Sequence, residues 1–313
     1  MKNWLGVEIG GTKQQIGIIG ENGKILKVIS ERVELKRGAP DILDWMKEKI
    51  PTLMKEYGFE GIGVGFGGVL DTKRGASICS VHVPGWKDFP LKGWFEEEFS
   101  RPCTVVNDTV CGGYAELLYG SGRGKRIFVY TNIGTGCGGS VFIDGRTFDG
   151  IGFGGAYFGQ TYVPDRKTGK CARMETVCSG TGVRERLRRE GYIPESSSLY
   201  SERQEAGFKE LCEAARKGDS FALHEIDEWA ESYSYAMANI LAVLSPERIS
   251  LGGGAANDAD LLLPYIRKHT ERLAFLSSDG KYDIVACDYL DNAVFTGAAL
   301  YARDGFNLVG NIS

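Results

Sequence analysis

Residues 7–13 read VEIGGTK, a glycine turn that joins two apolar, strand-like stretches, and residues 133–139, which read IGTGCGG, repeat this arrangement. In both places the second strand ends in another turn that contains glycine, at residues 22–23 and 144–145. Asparagine–glycine and aspartate–glycine pairs of this kind are strong hairpin signals. The recurrence is too widely spaced for a solenoid repeat and indicates a duplicated unit.

Hydrophobic periodicity predicts further elements around these turns. A helix is expected to begin at Pro40, because apolar residues recur on one 3.6-residue face up to Tyr57, and Pro51 is expected to split or kink it. The other predicted strands are at 61–66, 104–106, 248–251 and 284–286, and the other predicted helices are at 109–119, 208–217, 227–244 and 293–302.

The composition excludes several classes of protein. The chain has 313 residues, of which 42% are hydrophobic and 25% charged, as in an ordinary soluble globular protein. No apolar run reaches the roughly 20 residues that a membrane span needs. A net charge of −4 argues against a broad nucleic-acid surface. No apolar signal-peptide core precedes the first strand, so we expect a cytoplasmic protein without membrane or nucleic-acid partners.

The eight cysteines are expected to be reduced thiols that mostly pack as small hydrophobic residues. A disulfide framework is the alternative, because the count is even. A structural zinc site needs four nitrogen or sulfur ligands at close spacing, and the three histidines and the cysteines offer no such local set. The sequence therefore predicts no zinc site.

The two glycine turns suit phosphate oxygens, because their backbone N–H groups are not covered by large side chains and a threonine hydroxyl adds a donor. A plain hairpin turn is the alternative for either one alone. Two turns at corresponding points of a duplicated unit favour a nucleoside triphosphate held between two lobes. Residues 252–254 are three consecutive glycines that follow a predicted strand. They are a third place where a ligand could come close to the backbone. The Walker pattern is absent, which argues against a P-loop enzyme.

Asn107 and Asp108 close one predicted strand and open a helix. Asparagine and aspartate are favoured helix N-caps, so a purely structural role is one interpretation. A carboxylate at the carboxyl end of a strand can also accept a hydroxyl proton during phosphoryl transfer. The position alone leaves both interpretations open.

Taken together, these motifs resemble the ROK family (repressors, uncharacterised frames and sugar kinases) along nearly the whole chain. The resemblance rests on residues 7–13, 63–71, 84–86, 107–108 with Glu116, 134–139, 215–219, 245–247 and 251–254. It implies an α/β, actin-like (ribonuclease H-like) ATPase fold with two lobes, a duplicated core and an interlobe cleft. The smaller lobe would comprise residues 1–118 and 295–313, and the larger would comprise residues 119–294.

The resemblance implies ATP-dependent phosphorylation of a sugar or sugar-derivative hydroxyl, with magnesium arriving on the nucleotide. Asp108 would be the general base. The sugar would contact Asn107, Gly67, Glu175, Tyr157 and Gln160. The nucleotide would contact Gly10, Gly11, Thr12, Lys13, Thr135, Gly136, Gly253 and Gly254. A homodimer is the expectation for the family.

Three positions depart from the family pattern. Glu8 stands where an aspartate is usual, which keeps a carboxylate for magnesium or its water but lengthens its reach. Tyr157 replaces a sugar-binding glutamate, and Gln160 replaces a histidine that binds zinc and sugar. The cysteine cluster before Glu175 is missing. Tyr157 can stack on a sugar face, or it can be a loop aromatic that packs against Phe153 or Phe158.

The leading functional hypothesis is therefore a carbohydrate kinase that uses ATP and Mg²⁺ but no zinc, and whose acceptor is not plain glucose bound in the usual way. A catalytically silent sensor of sugar or nucleotide is the alternative. A DNA-binding repressor is disfavoured, because only about three residues precede the first strand and no helix-turn-helix can fit there.

Overall fold

The computed structural model describes residues 2–80, 83–151, 154–278 and 280–308. The chain divides into two compact units. The first contains residues 1–123, 147–155 and 291–313, and the second contains residues 124–146 and 156–290. The predicted lobe boundaries assigned 147–155 to the larger lobe, but Tyr301 in the first unit interacts with Thr147 and Asp149.

The described residues form alternating strands and helices. Up to residue 123 these are β1 (Asn3–Ile9), β2 (Lys13–Gly20), β3 (Ile25–Arg32), α1 (Gly38–Tyr57), β4 (Ile62–Phe66), β5 (Val69–Asp71), β6 (Ala76–Cys79), α2 (Leu91–Phe99), β7 (Cys103–Asn107) and α3 (Asp108–Tyr119). Beyond it they are β8 (Ile127–Ile133), β9 (Cys137–Ile143), β10 (Arg146–Thr147), β11 (Tyr162–Asp165), β12 (Lys170–Arg173), α4 (Met174–Cys178), α5 (Gly180–Leu187), α6 (Phe208–Arg216), α7 (Ser220–Leu244), β13 (Arg248–Gly252), α8 (Ala259–Leu273), β14 (Asp283–Ala286) and α9 (Ala293–Leu308).

The sheet of the first unit has the strand order β3-β2-β1-β4-β7. The first three strands are antiparallel neighbours, whereas β1, β4 and β7 run parallel. Glu8 pairs with Gly65, and Phe66 pairs with Asn107. Because parallel strands end at the same edge, the segments that follow β1, β4 and β7 come together there, as ligand-binding loops do in open α/β sheets.

The sheet of the second unit has the strand order β10-β9-β8-β13-β14. Strand for strand, this order matches that of the sheet in the first unit. Strands β8 and β9 form an antiparallel hairpin, and β8, β13 and β14 run parallel. Gly252 at the end of β13 pairs with Asn132 on β8. The duplication predicted from residues 7–13 and 133–139 is therefore present in the topology of the two units.

Each unit buries a core of its own. In the first unit, side chains from α1 and α2 cover the sheet, and in the second α7 and α8 contribute most of the buried helical side chains. Helix α1 begins at Gly38 and continues through Pro51 to Tyr57, so Pro51 does not split it, and the predicted kink stays a prediction. Ile50 and Leu53 on either side of the proline are fully buried, and their packing holds the helix together. Within the described residues, no helix combines the length and apolar character required to cross a bilayer.

Candidate active site

The glycine turn of the first unit is closed at its base by backbone hydrogen bonds. The Gly10 N–H donates to the Lys13 carbonyl at 3.2 Å, and the Val33 N–H donates to the Thr12 carbonyl at 3.0 Å. Thr12 itself is exposed, so its hydroxyl is accessible to a ligand. The Lys13 ammonium donates to the carbonyl of Asp291 at 3.1 Å and lies 3.8 Å from the Glu8 carboxylate. The turn thus presents donors beside a lysine that is already held in place.

Asn107 caps helix α3, as the structural interpretation predicted. Its side-chain oxygen accepts from the Thr109 N–H at 3.0 Å and from the Thr109 hydroxyl at 2.6 Å. Its amide donates to the carbonyl of Gly68 at 3.3 Å, which ties the end of β7 to the loop after β4. Because Asn107 caps the helix, Asp108, the next residue, is not needed as the cap and can have a different role.

Asp108 lies against the loops that follow β1 and β4. Its Oδ1 accepts from the Thr109 N–H at 2.8 Å. A Cβ atom at Gly67 would lie 3.1 Å from Asp108 Oδ2, and the Gly67 N–H donates to the Ile9 carbonyl at 2.9 Å. The first unit therefore brings together the predicted residues Glu8, Gly10, Gly11, Thr12, Lys13, Gly67, Asn107 and Asp108.

Burial sets the charge state of the two carboxyl groups. It raises the pKa of Asp108 to about 6, although the Thr109 N–H works in the opposite direction. It raises the pKa of Glu8 to about 8, where Lys13 opposes the shift and Asp108 and Asp291 add to it. Carboxyl groups whose pKa is shifted in this way are found most often at functional sites.

The Glu8 carboxylate fits a hard cation. Its Oε2 atom is buried without a hydrogen-bond partner in the structure, and a buried carboxylate oxygen in that state is costly unless a cation or water compensates. Magnesium prefers oxygen ligands and keeps several waters. Among the described residues, no group of three or more His, Cys, Asp or Glu is placed to hold a metal ion. A single carboxylate oxygen of this kind suits a cation that keeps most of its own water ligands.

The raised pKa of Glu8 predicts a pH-dependent effect of Glu8→Gln. Between pH about 4.5 and about 8, Glu8 keeps its proton in the folded protein but loses it in the unfolded chain. The stability of the wild-type protein therefore falls as the pH rises through this range. Without nucleotide or metal, the variant should melt higher than wild type near pH 9 and show little difference near pH 4.5. Melting curves at both pH values check this, with exposed Glu60→Gln as control. An equal difference at both pH values would contradict it.

The glycine turn of the second unit is built around Glu175. The Gly134 N–H donates to the Gly136 carbonyl at 3.0 Å, and the Cys137 N–H donates to Glu175 Oε2 at 3.0 Å. A Cβ atom at Gly136 would lie 2.6 Å from that same oxygen, so a larger residue there would displace the carboxylate from this position. The turn and the carboxylate predicted to bind sugar are thus in direct contact.

Gly253 lies beside the end of strand β8. Its φ is +73°, and a Cβ atom there would come within 2.5 Å of the Ile133 carbonyl and 2.6 Å of the Asn132 side chain. Gly254 is exposed and opens a short 3₁₀ turn, Gly254–Asp258. The two predicted nucleotide segments of the second unit therefore adjoin the carboxyl ends of neighbouring strands β8 and β13.

Tyr157 and Gln160 lie at a short 3₁₀ turn, Phe158–Gln160. Gln160 Nε2 is 3.5 Å from Glu175 Oε1, which joins two of the predicted sugar contacts. Phe158 is buried and packs over Gly139, whereas Tyr157 keeps 42% of its surface exposed. Tyr157 thus has surface left for a ligand. Phe153, the other suggested packing partner, lies outside the described residues.

Sequence reasoning missed Asp291 and Cys111 in the first unit. Asp291 receives the Lys13 ammonium, and the buried Cys111 thiol has its pKa raised well above the usual value by burial, with added effects of Asp108 and Glu8. Both residues lie in helical or turn segments with no motif to mark them. Only the three-dimensional structure brings them to the edge of the first sheet.

The chain is similar to known proteins along nearly its whole length. The sequence profile of the ROK family matches residues 4–305. A glucokinase of Thermotoga maritima is 30% identical over 308 residues, which cover 96% of this chain and 97% of that protein. An N-acetyl-D-glucosamine kinase of Photobacterium profundum is 28% identical over 81% of this chain and 84% of that protein.

A solved structure extends the likeness to the fold. The crystal structure of a ROK family glucokinase from Streptomyces griseus, in complex with glucose and AMPPNP, superimposes with a TM-score of 0.85 at 27% identity. The match covers 97% of this chain and 100% of that one. The predicted actin-like α/β fold with a duplicated core is confirmed. By profile, sequence and structure alike, the chain belongs to the ROK family.

Proposed function

We propose that this protein is a carbohydrate kinase that transfers the terminal phosphoryl group of ATP to a hydroxyl of a sugar or sugar derivative. The observation that carries the proposal is the position of the partly buried Asp108, which lies at the carboxyl end of β7 beside the loops that follow β1 and β4. The kinases among its relatives support the reaction class.

Asp108 acts as the general base. It accepts the proton of the acceptor hydroxyl while the hydroxyl oxygen forms a bond to the γ-phosphorus and the bond to the β–γ bridging oxygen breaks, which releases ADP. A pKa of about 6 leaves Asp108 ionised at neutral pH yet more basic than an ordinary aspartate. The Thr109 N–H fixes the orientation of its carboxylate.

The nucleotide contacts are the glycine turns and the triple glycine. Gly10, Gly11, Thr12 and Lys13 in the first unit and Thr135 and Gly136 in the second bind phosphate oxygens, and Gly253 with Gly254 lies against the adenosine. Glu8 would hold Mg²⁺ through a water molecule. When bound, magnesium neutralises charge on the β- and γ-phosphates.

The proposed acceptor contacts are given for each unit by itself. Asn107 and Gly67 in the first unit and Glu175, Gln160 and Tyr157 in the second offer amide, backbone, carboxylate and ring groups. Such a set recognises a polyol, because hydroxyl groups need both donors and acceptors and a ring can cover an apolar sugar face.

A screen of sugars for ADP release tests the proposal. The purified protein, ATP and Mg²⁺ are combined with hexoses, amino sugars and their N-acetyl derivatives, and sugar-dependent ADP release is expected for at least one. If nucleotide binds but no sugar stimulates ADP release, the protein is a silent sensor and the kinase proposal fails.

We also propose that the enzyme works without zinc. A structural zinc contributes on the order of 10 kcal/mol to folding at a small site, so its removal is conspicuous. Elemental analysis should find well below one zinc per chain, and EDTA should leave the melting temperature unchanged. Zinc near one per chain would contradict this and would direct attention to Cys171 and Cys178 as ligands.

The enzyme is proposed to act in the cytoplasm, where ATP is available and thiols stay reduced. All eight cysteines lie within the described residues, and none of them is part of a disulfide bond. A homodimer is the family expectation, and sedimentation velocity distinguishes it from a monomer.

A further inference from the structure

The second unit contains a network of charged side chains, centred on a buried carboxylate, that the proposed reaction does not use. Glu225 on helix α7 is 1% exposed and forms its centre. Its Oε1 lies 2.7 Å from the Lys167 ammonium, and its Oε2 lies 3.4 Å from Arg186 Nε. The Tyr192 hydroxyl donates to the same carboxylate at 2.8 Å. A buried charge is retained only where partners of this kind compensate for its lost hydration.

Lys167 connects this network to the hairpin formed by β11 and β12. It lies at the hairpin tip, where Asp165 Oδ1 accepts from the Lys167 N–H at 3.0 Å, and its ammonium also contacts Glu228 on α7. Burial works to lower the pKa of Lys167, but hydrogen bonds to Glu225 and Glu228 outweigh it and hold that pKa above its usual value. The lysine is therefore charged, and it anchors the hairpin tip to α7.

The hairpin leads directly into helix α4, which carries Glu175. Strand β12 ends at Arg173, and the Met174 N–H donates to the Thr161 carbonyl at 2.8 Å. The position of the hairpin thus determines where α4 begins. Because Lys167 anchors the hairpin tip, it helps to fix the first residues of α4.

The exit of α4 is held by the same network. Arg186 Nη1 donates to the Val177 carbonyl at 3.2 Å, and the indole N–H of Trp229 donates to the Cys178 carbonyl at 2.9 Å. Glu225 therefore links the hairpin before Glu175 with the carbonyl groups after it. Between these two fixed ends, the Glu175 carboxylate accepts from the Cys137 N–H and lies 3.5 Å from Gln160 Nε2.

We propose that Glu225 and its partner Lys167 are positioning residues for the acceptor carboxylate Glu175, because they fix the hairpin and helix α4 on either side of it. This inference rests on the proposed function, in which Glu175 binds the sugar. Residues that orient the ligands of a metal from outside typically matter by about 10- to 100-fold, and we expect an effect of the same order here.

Lys167→Met is the test variant, because Arg186 and Tyr192 remain as partners of Glu225 and the fold is therefore expected to be retained. KM for the best acceptor should rise about 10-fold or more, while kcat stays within about twofold and KM for ATP is unchanged. Lys167→Arg should restore KM. Lys170→Met, an exposed lysine on the same hairpin, is the matched control and should leave KM as in wild type.

Glu175→Gln distinguishes the inference from the proposed function. If Glu175→Gln raises KM for the acceptor and Lys167→Met does not, the positioning role is overturned. If neither variant changes KM, the acceptor role of Glu175 fails and the inference fails with it.

A wild-type protein without turnover would overturn the kinase proposal, and hydrogen exchange over residues 161–178 would then decide the inference. Faster exchange in Lys167→Met than in Lys170→Met supports it, and equal exchange overturns it.

Discussion

Replacing Asp108 by asparagine should lower kcat by about 10²–10⁴-fold or more, because asparagine keeps the size of the side chain but cannot accept a proton. KM for the acceptor should change little. The melting temperature should not fall, since the variant loses a buried charge and can still accept the Thr109 N–H bond. Steady-state kinetics with the acceptor from the sugar screen measure the effect.

The control for this variant is Asp41→Asn. Asp41 lies on helix α1 and pairs with Arg37, the residue before the helix. It should keep wild-type turnover. Near-normal kcat in Asp108→Asn would remove Asp108 from the chemistry and restore the helix-terminus interpretation of residues 107–108.

The pH profile adds an independent readout of the same group. Burial raises the pKa of Asp108 to about 6, and the base must be ionised to accept a proton. The kcat/KM of wild type should therefore fall as the pH decreases through about 6 rather than through the ordinary value near 4. A profile that stays flat down to about pH 4.5 would contradict the assignment.

Plain glucose should be a poor acceptor, and Tyr157 is the reason. Where the family resemblance places a sugar-binding glutamate, this chain has a half-exposed ring without a carboxylate. Loss of one matched hydrogen-bond partner in a site built for hydroxyl groups costs about 1–3 kcal/mol, which corresponds to roughly 5- to 150-fold in kcat/KM. The loss of a histidine at position 160 adds to this. A carbohydrate modified at a ring hydroxyl should be phosphorylated more efficiently.

A comparison of glucose with hexoses, amino sugars and N-acetylated sugars measures this preference. Tyr157→Glu should raise kcat/KM for glucose about 10-fold relative to the preferred acceptor, and Tyr157→Phe should not, because only the first restores a charged acceptor. Efficient wild-type phosphorylation of glucose, at about 10⁵ M⁻¹s⁻¹ or above, would refute the claim.

The sequence predicted the features that depend on short motifs. The glycine turns are recognisable because tight turns and close backbone approach require glycine, as Gly136 beside Glu175 illustrates. Strand ends followed by Asp108 or Gly253 are recognisable because apolar runs stop there. These local signals carried the resemblance to the ROK family, and that resemblance in turn implied the fold and most of the candidate residues.

The features it could not predict depend on distant parts of the chain. Pro51 reads as a helix breaker, but the burial of its neighbours Ile50 and Leu53 holds α1 in one piece. The carbonyl of Asp291 accepts a hydrogen bond from the Lys13 ammonium, although the two residues are 278 positions apart in the sequence. The pairing of Lys167 with Glu225 likewise leaves no local trace, because each residue looks like an ordinary charge on a hairpin tip or a helix.

The most direct measurement of the central claim is the fate of the γ-phosphoryl group. The protein is incubated with Mg²⁺, γ-labelled ATP and the best acceptor from the screen, and the products are separated and identified by mass spectrometry. The account predicts one labelled sugar phosphate for each ADP formed, and its disappearance in Asp108→Asn. Label recovered as inorganic phosphate, or ADP formed at the same rate without sugar, would contradict the account.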